Sequence, residues 1–317
     1  MANSVQTIVL LVAGLVGVVL CARLFLTGAV GISRKFGLSE VVVAGVVVAI
    51  GTSAPELAIN IVASLNNEGD VVMSNIIGSN IVNLGFGVGI AGLIQAYRPF
   101  PKAYRFVTIF GLAGTALLLV NTIWSLPNPV LGRGVGIILL GGAVYYLSLS
   151  VKEARHGSDR PEKVAGGNIG LMIGQLIIGS LGMAVTADLT VNNAVVLANL
   201  LNVPESVIGA TIVAAGGSLP EIVACVIAAR AGHPGVAVGN VVGSQLFNVF
   251  AVLGVSTLVS PVHYSASIAY DLVALTLISF VFLAAFYSDV IRKNIGWIML
   301  LSYAGYAIYL VASTVGS

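Results

Sequence analysis

Two stretches of this chain carry the same set of oxygen-bearing side chains. Residues 51–83, GTSAPELAINIVASLNNEGDVVMSNIIGSNIVN, align without a gap to residues 216–248, GGSLPEIVACVIAARAGHPGVAVGNVVGSQLFN, with ten of 33 positions identical. The matched residues include Ser53 and Ser218, Pro55 and Pro220, Glu56 and Glu221, Asn75 and Asn240, Ser79 and Ser244, and Asn83 and Asn248. Two apolar segments share Val, Ala and Gly by chance, but chance does not reproduce a Pro-Glu pair together with spaced Ser and Asn positions. The two stretches read as a duplication.

Glu56 and Glu221 lie inside long apolar runs with no Lys or Arg at their centres. In a hydrocarbon setting an ionised carboxylate is costly unless it is paired, hydrogen-bonded or protonated. Each glutamate therefore needs a bound cation, a proton, or both in turn; the plainer alternative is a permanently protonated acid bonding helix to helix. The prolines break the helical ladder and release carbonyl oxygens one turn earlier, around Ala49 to Gly51 and Ala214 to Gly216. With the hydroxyls of Thr52, Ser53 and Ser218 these make an all-oxygen set, which suits a hard cation such as Ca2+. His156, His233 and His263 fall at loops or run ends, and Cys21 and Cys225 lie far apart, which disfavours zinc, copper or a disulfide framework. Further on, GSNIVN and GSQLFN set Ser79 and Asn83, and Ser244 and Asn248, four apart on one helical face. A polar stripe on an apolar helix faces an interior.

The elements that position these residues follow from composition. Of 317 residues, 58% are hydrophobic and 8% charged, with a mean hydropathy of +1.04, which excludes a water-soluble enzyme. A net charge of +2 without basic tracts argues against nucleic-acid binding. The runs are continuously apolar for about 20 residues, as in membrane helices and unlike the alternation of a barrel. Spans are expected near 5–29, 41–66, 71–95, 105–124, 131–151, 168–187, 206–230, 235–259, 269–288 and 295–314, an all-α polytopic fold of ten transmembrane helices. The first run lacks a basic n-region or cleavage motif and reads as a retained span.

With both termini outside, Arg34, Lys35, Arg98, Lys102, Arg105, Lys152, Arg155, Arg160, Lys163, Arg230, Arg292 and Lys293 all fall inside, against Arg133 outside, as the positive-inside rule requires. Arg23 sits in the first span near its inner end. The polar break KEARHGSDRPEK divides the chain into a half of residues 1–151, an inner linker of 152–167 and a half of 168–317. The duplicated regions, 40–83 and 205–248, are five spans apart and so cross in opposite senses. Inverted repeats of this kind mark secondary transporters, whose sites lie near the bilayer midplane. Among the other acids, Asp188, Asp271, Glu68, Asp70 and Glu205 either line an entrance or are simply solvated. Glu40 and Glu205 correspond under the repeat, each just before its broken helix, where a carboxylate suits the N-terminal dipole.

On the paired motifs GTSAPE with GSNIVN and GGSLPE with GSQLFN, the chain resembles the cation/calcium exchanger superfamily, and within it the prokaryotic sodium/calcium exchangers, over essentially its whole length. The resemblance implies two inverted five-helix halves, with the second, third, seventh and eighth helices enclosing the ions and the first and sixth sliding across them. It implies that Glu56 and Glu221 are shared Ca2+ and Na+ ligands, that Thr52 is a further ligand, that Ser53, Ser79, Ser218 and Ser244 serve Na+, and that Asn83 and Asn248 complete the centre. Gly217 stands where that pattern has a second threonine, keeping only a backbone carbonyl, and Asn248 where many relatives have aspartate. The site's formal charge is then −2, enough to neutralise one Ca2+. The expectation is a Na+/Ca2+ antiporter in the cell membrane, with the lipid bilayer and inorganic cations as partners, no obligate protein partner and no cofactor beyond the transported ions. An H+/Ca2+ exchanger using the same glutamates, a passive cation channel, and an intramembrane hydrolase using them as an acid/base pair are the alternatives. Thr52 and Gly217 do not match the asparagine typical of the proton/calcium branch, no selectivity-filter run is present, and a hydrolase leaves the repeated Ser, Thr and Asn unexplained.

Overall fold

A computed structural model describes residues 2–94, 102–156, 167–201, 203, 208 and 214–315. Arg98, Arg160, Lys163 and Glu205 lie outside the described residues, as do the side chains of Glu40, Lys102, Arg155 and Ala214. The chain is helical almost throughout; the only strands among the described residues are Val130–Leu131 and Val262–His263, which pair antiparallel. Among the described residues seven helices are long and apolar enough to cross a membrane, and the bent pair Ala44–Thr52 and Ala54–Leu65 makes an eighth if it is counted as one span. The apolar helix Ile268–Ala284 has 17 residues, and the short helix Ala214–Gly216 that leads into Leu219–Arg230 is preceded by residues 209–213, which lie outside the described set.

Two helices exceed the expected spans, Ala2–Phe36 with 35 residues and Ile169–Leu200 with 32. A span of 168–187 ends at the polar run that starts with Asp188, but those polar side chains are satisfied within the helix. Asn192 Nδ2 donates to Asp188 Oδ2 at 3.0 Å, Asn193 Nδ2 to the Leu189 carbonyl at 2.7 Å, and Thr190 Oγ1 to the Thr186 carbonyl at 2.7 Å. The backbone therefore continues unbroken. At about 1.5 Å per residue both helices outreach a hydrocarbon core of about 30 Å. They run along each other with glycines in the seam: a Cβ at Gly14 would lie 2.5 Å from Thr190 Oγ1, and one at Gly179 would lie 2.8 Å from the Phe25 backbone nitrogen. Small residues allow such close approach where lipid offers no hydrophobic drive to association.

The first duplicated region runs Glu40–Val43, a π-helical Ala44–Val48 and Ala49–Thr52, breaks at Ser53, and resumes as Ala54–Leu65 at a bend of 53°. Helix Gly69–Ile94 follows, with a π turn at Asn83–Gly87. The second region has Ala214–Gly216, a break at Ser218 and Leu219–Arg230, then Pro234–Leu246, a π turn at Phe247–Val252 and Leu253–Val259. These are the most buried helices, packing through Val72, Met73, Ile76, Val238, Val241 and Val242. Lys102–Trp124, Arg133–His156, Ile268–Ala284 and Ile295–Val315 surround them and expose Val120, Val144, Leu277 and Ile308. Apolar outside and polar within is the arrangement a bilayer selects. Lys152 to His156 continue a helix, and residues 157–166 of the expected linker lie outside the described set.

Candidate ion-binding site

The two breaks have one local cause. Ser53 sits at φ −92° and ψ 11°, and Ser218 at φ −91° and ψ 9°, each two residues before a proline that opens the next helix. Proline cannot donate to the carbonyl four residues back, so the chain leaves the helical path there. The freed Gly51 carbonyl is caught by the Ser180 hydroxyl of helix Ile169–Leu200. Of the carbonyls expected to be released around Ala49 to Gly51, that of Gly51 is thus engaged by a neighbouring helix. The Ala49 carbonyl accepts from the Ser53 nitrogen at 3.0 Å and, more weakly, from Thr52 Oγ1 at 3.4 Å.

The breaks bring residues 168 positions apart into contact. Ser53 Oγ donates to Glu221 Oε1 at 3.0 Å, and Asn248 Nδ2 to Asn80 Oδ1 at 3.2 Å. Thr52 Oγ1 lies 3.3 Å from Asn240 Oδ1, and Asn240 Nδ2 donates to the Glu221 backbone carbonyl at 3.3 Å. Ser218 Oγ reaches the Ser79 carbonyl at 3.5 Å. Of the expected site residues, Thr52, Ser53, Ser79, Ser218, Glu221 and Asn248 are thus tied across the two regions. Gly217 lines a cleft of about 730 Å3 together with Asn75, Gly78, Ser79 and Pro220.

Burial defines what this cluster can do. Glu56 is 1% exposed, and Glu221, Ser244, Asn83 and Asn248 are fully buried. Both carboxylate oxygens of Glu56, Oε2 of Glu221, Oγ of Ser244, Oδ1 of Asn248 and both polar atoms of Asn83 have no protein hydrogen-bond partner. A buried polar atom without a partner costs about 1–3 kcal/mol, and a charged one more. The donor set is carboxylate, hydroxyl and amide oxygen, which fits a hard cation as substrate. Among the described residues no three His, Cys, Asp or Glu side chains converge, so a cation here takes its remaining ligands from neutral oxygens.

Sequence reasoning passed over five contributors. Asn80 and Asn240 bond to site residues, Asn60 Oδ1 accepts from Asn75 Nδ2 at 2.7 Å, Gln245 Nε2 donates to Ser279 Oγ at 3.0 Å, and Ser180 holds Gly51. The signal for Asn240 was present, since it repeats Asn75; Ser180 lies outside both repeats and gave none. Of the outlying acids, Asp70 and Asp188 line the cleft, although Asp70 Oδ1 is also engaged by the Ser265 nitrogen at 2.6 Å and hydroxyl at 2.9 Å. Glu68 is exposed, and Asp271 accepts from Tyr306 Oη at 3.1 Å.

Known proteins resemble this chain in sequence and fold. The family described as sodium/calcium exchanger protein matches residues 6–152 and 171–315. The inner membrane protein YrbG of Escherichia coli is 33% identical over 80% of this chain and 79% of its own length. The sodium/calcium exchanger MaX1 of Methanosarcina acetivorans is 29% identical over 95% of this chain and 97% of its own. The solved structure of the sodium/calcium exchanger from Methanococcus jannaschii superposes with a TM-score of 0.81 at 26% identity, covering 95% of this chain and 97% of that one. A family match across residues 6–152 and 171–315, on a chain of long apolar helices, makes this an integral membrane protein that belongs to the sodium/calcium exchanger family.

Proposed function

We infer that the chain is a secondary antiporter that exchanges Na+ for Ca2+ by alternating access, with both ions competing for one site at the bilayer midplane. The observation that carries the reading is the pairing of Glu56, buried with neither oxygen bonded, with the neighbouring Glu221, buried with one oxygen bonded to Ser53 and the other without a partner. Two carboxylates give a site charge of −2, which one Ca2+ neutralises. Thr52, Ser53, Ser79, Asn83, Ser218, Ser244 and Asn248 supply neutral oxygens, and the carbonyls of Ala49, Ala214 and Gly217 complete the set. Charge is also the coupling device. An empty, doubly ionised site is too costly to seal in an apolar interior, so the protein switches access only when cations fill it.

In this reading the chain has ten spans in two inverted halves, 1–151 and 168–317, joined by an inner linker, and both termini face outward at the cell membrane. The cleft over Gly217 then opens outward, past Asp70 and Asn192. The long helices Ala2–Phe36 and Ile169–Leu200 slide across the four central ones, and Ser180 grips the broken helix through the Gly51 carbonyl.

The test is Ca2+ uptake by proteoliposomes that hold the purified protein and internal Na+. Uptake driven by the outward Na+ gradient, and abolished in Glu56→Gln and Glu221→Gln, is the expected result. Uptake that follows an imposed pH gradient and ignores Na+ would replace sodium by protons as the counter-ion. Transport that survives both substitutions would remove the site.

A further inference from the structure

The repeat sets Asn80 against Gln245 and Asn83 against Asn248, yet the two copies use these amides differently. Asn248 Nδ2 donates to Asn80 Oδ1 at 3.2 Å, from one region to the other. The matching bond to Asn83 would come from Gln245, but that side chain is committed elsewhere. Its Nε2 donates to Ser279 Oγ at 3.0 Å, on helix Ile268–Ala284. Among the described residues nothing bonds either amide atom of Asn83, whereas Asn248 keeps only its Oδ1 unbonded. All four side chains are buried.

The difference matters because a carboxamide has one accepting end and one donating end, and a hard cation takes only the oxygen. A carboxylate in the same place offers oxygen whichever way it turns. A buried asparagine can serve as a ligand at low cost only if its N–H groups find a partner on the side away from the ion, since a buried donor left unbonded is expensive. Asn80 Oδ1 is that partner for Asn248. Turning both amides over would keep their bond but aim N–H groups at the ion, so cation binding selects the orientation in which Asn80 accepts.

We propose that Asn80 is a positioning residue: by accepting from Asn248 Nδ2 it reserves the Asn248 oxygen for the cation. A neutral side chain thereby gains the fixed acceptor that a carboxylate has by nature. Asn83, its repeat counterpart, has no such partner and is not oriented in this way. The inference rests on the reading of Glu56, Glu221 and Asn248 as one cation site, and it holds whichever ion drives the exchange.

The experiment is calorimetric titration of the purified protein with Ca2+ in detergent and Na+-free buffer, which needs no ion gradient. Asn80→Ala should weaken Ca2+ binding about fivefold, the shift that one net hydrogen bond gives an equilibrium. Asn80→Leu is close to asparagine in size but has no acceptor. It should give the same loss, and it serves where the smaller side chain prevents folding. Both substitutions are then repeated in an Asn248→Asp background, where either end of the side chain is oxygen and no positioning is needed. There each should lose no more than about twofold.

An equal loss in the two backgrounds would make Asn80 a packing residue and overturn the proposal, and so would no loss in the unaltered one. Glu56→Gln separates this inference from the reading beneath it, because it should abolish Ca2+ binding. Binding that survives Glu56→Gln removes the site and the inference together. Binding that Glu56→Gln abolishes, but that Asn80→Ala weakens equally in both backgrounds, sinks the inference and spares the site.

Discussion

The region around Ser53 and the region around Ser218 have almost the same backbone and nearly opposite surroundings. Their break residues differ by 2° or less in φ and ψ, and each is followed by a buried glutamate. Yet Gly243 is pressed against the backbone of Gly45, and its counterpart Gly78 looks into an open cleft. One structure thus holds two environments for one motif. If the copies exchange these environments during transport, as the proposed alternating access requires, each shows the arrangement the other would take in turn.

The glutamates test how far the copies remain equal in chemistry. Glu56→Gln and Glu221→Gln should each cut Na+-driven Ca2+ uptake by about 100-fold or more, because one carboxylate leaves Ca2+ with an uncompensated charge in an apolar interior. A large loss in one and a small loss in the other would make the site one-sided. The glycines sharpen the contrast in packing. Gly243→Ala drives a methyl group into backbone and should cost about 3 kcal/mol or more, seen as a lower melting temperature, while Gly78→Ala should stay within about 0.5 kcal/mol. Similar losses at both would show that the cleft is closed in solution.

The asparagines come next. Asn240→Ala removes two buried contacts of 3.3 Å, to the Thr52 hydroxyl and the Glu221 carbonyl, but leaves Thr52 Oγ1 the Val48 carbonyl at 3.1 Å, so it should cost about 0.5–1.5 kcal/mol. Asn75→Ala should cost less, since Asn75 is only half-buried and borders the cleft, and comparing their thermal unfolding measures the gap. The smallest effect belongs to Ser180→Ala. One hydrogen bond between membrane helices averages about 0.6 kcal/mol, so the uptake rate should change by no more than about threefold.

Much of this site was legible as spacing. Pro55 and Pro220, each followed by glutamate, fixed where the helices break, because a missing N–H acts on its own helix and needs no knowledge of neighbours. Ser79, Asn83, Ser244 and Asn248 were legible as a polar stripe for the same local reason. The ends of the two long helices were not, because Asp188, Asn192 and Asn193 look like a solvated loop until their side chains are seen to bond within the helix. Ser180 was hidden because its partner, Gly51, lies 129 residues away.

Taken alone, the sequence determined the membrane-spanning class, the duplication, the two breaks and the two glutamates, since all of these follow from residue type and periodicity along one chain. Tertiary structure decided that the Gly51 carbonyl is caught by a neighbouring helix, that Asn240 crosses between the regions while Asn75 does not, and that Gly243 packs against Gly45 while Gly78 borders a cleft. These depend on how side chains far apart in sequence share the few partners available away from water. A repeated motif specifies the same donors and acceptors twice, but which of them meet is settled only when the helices are packed.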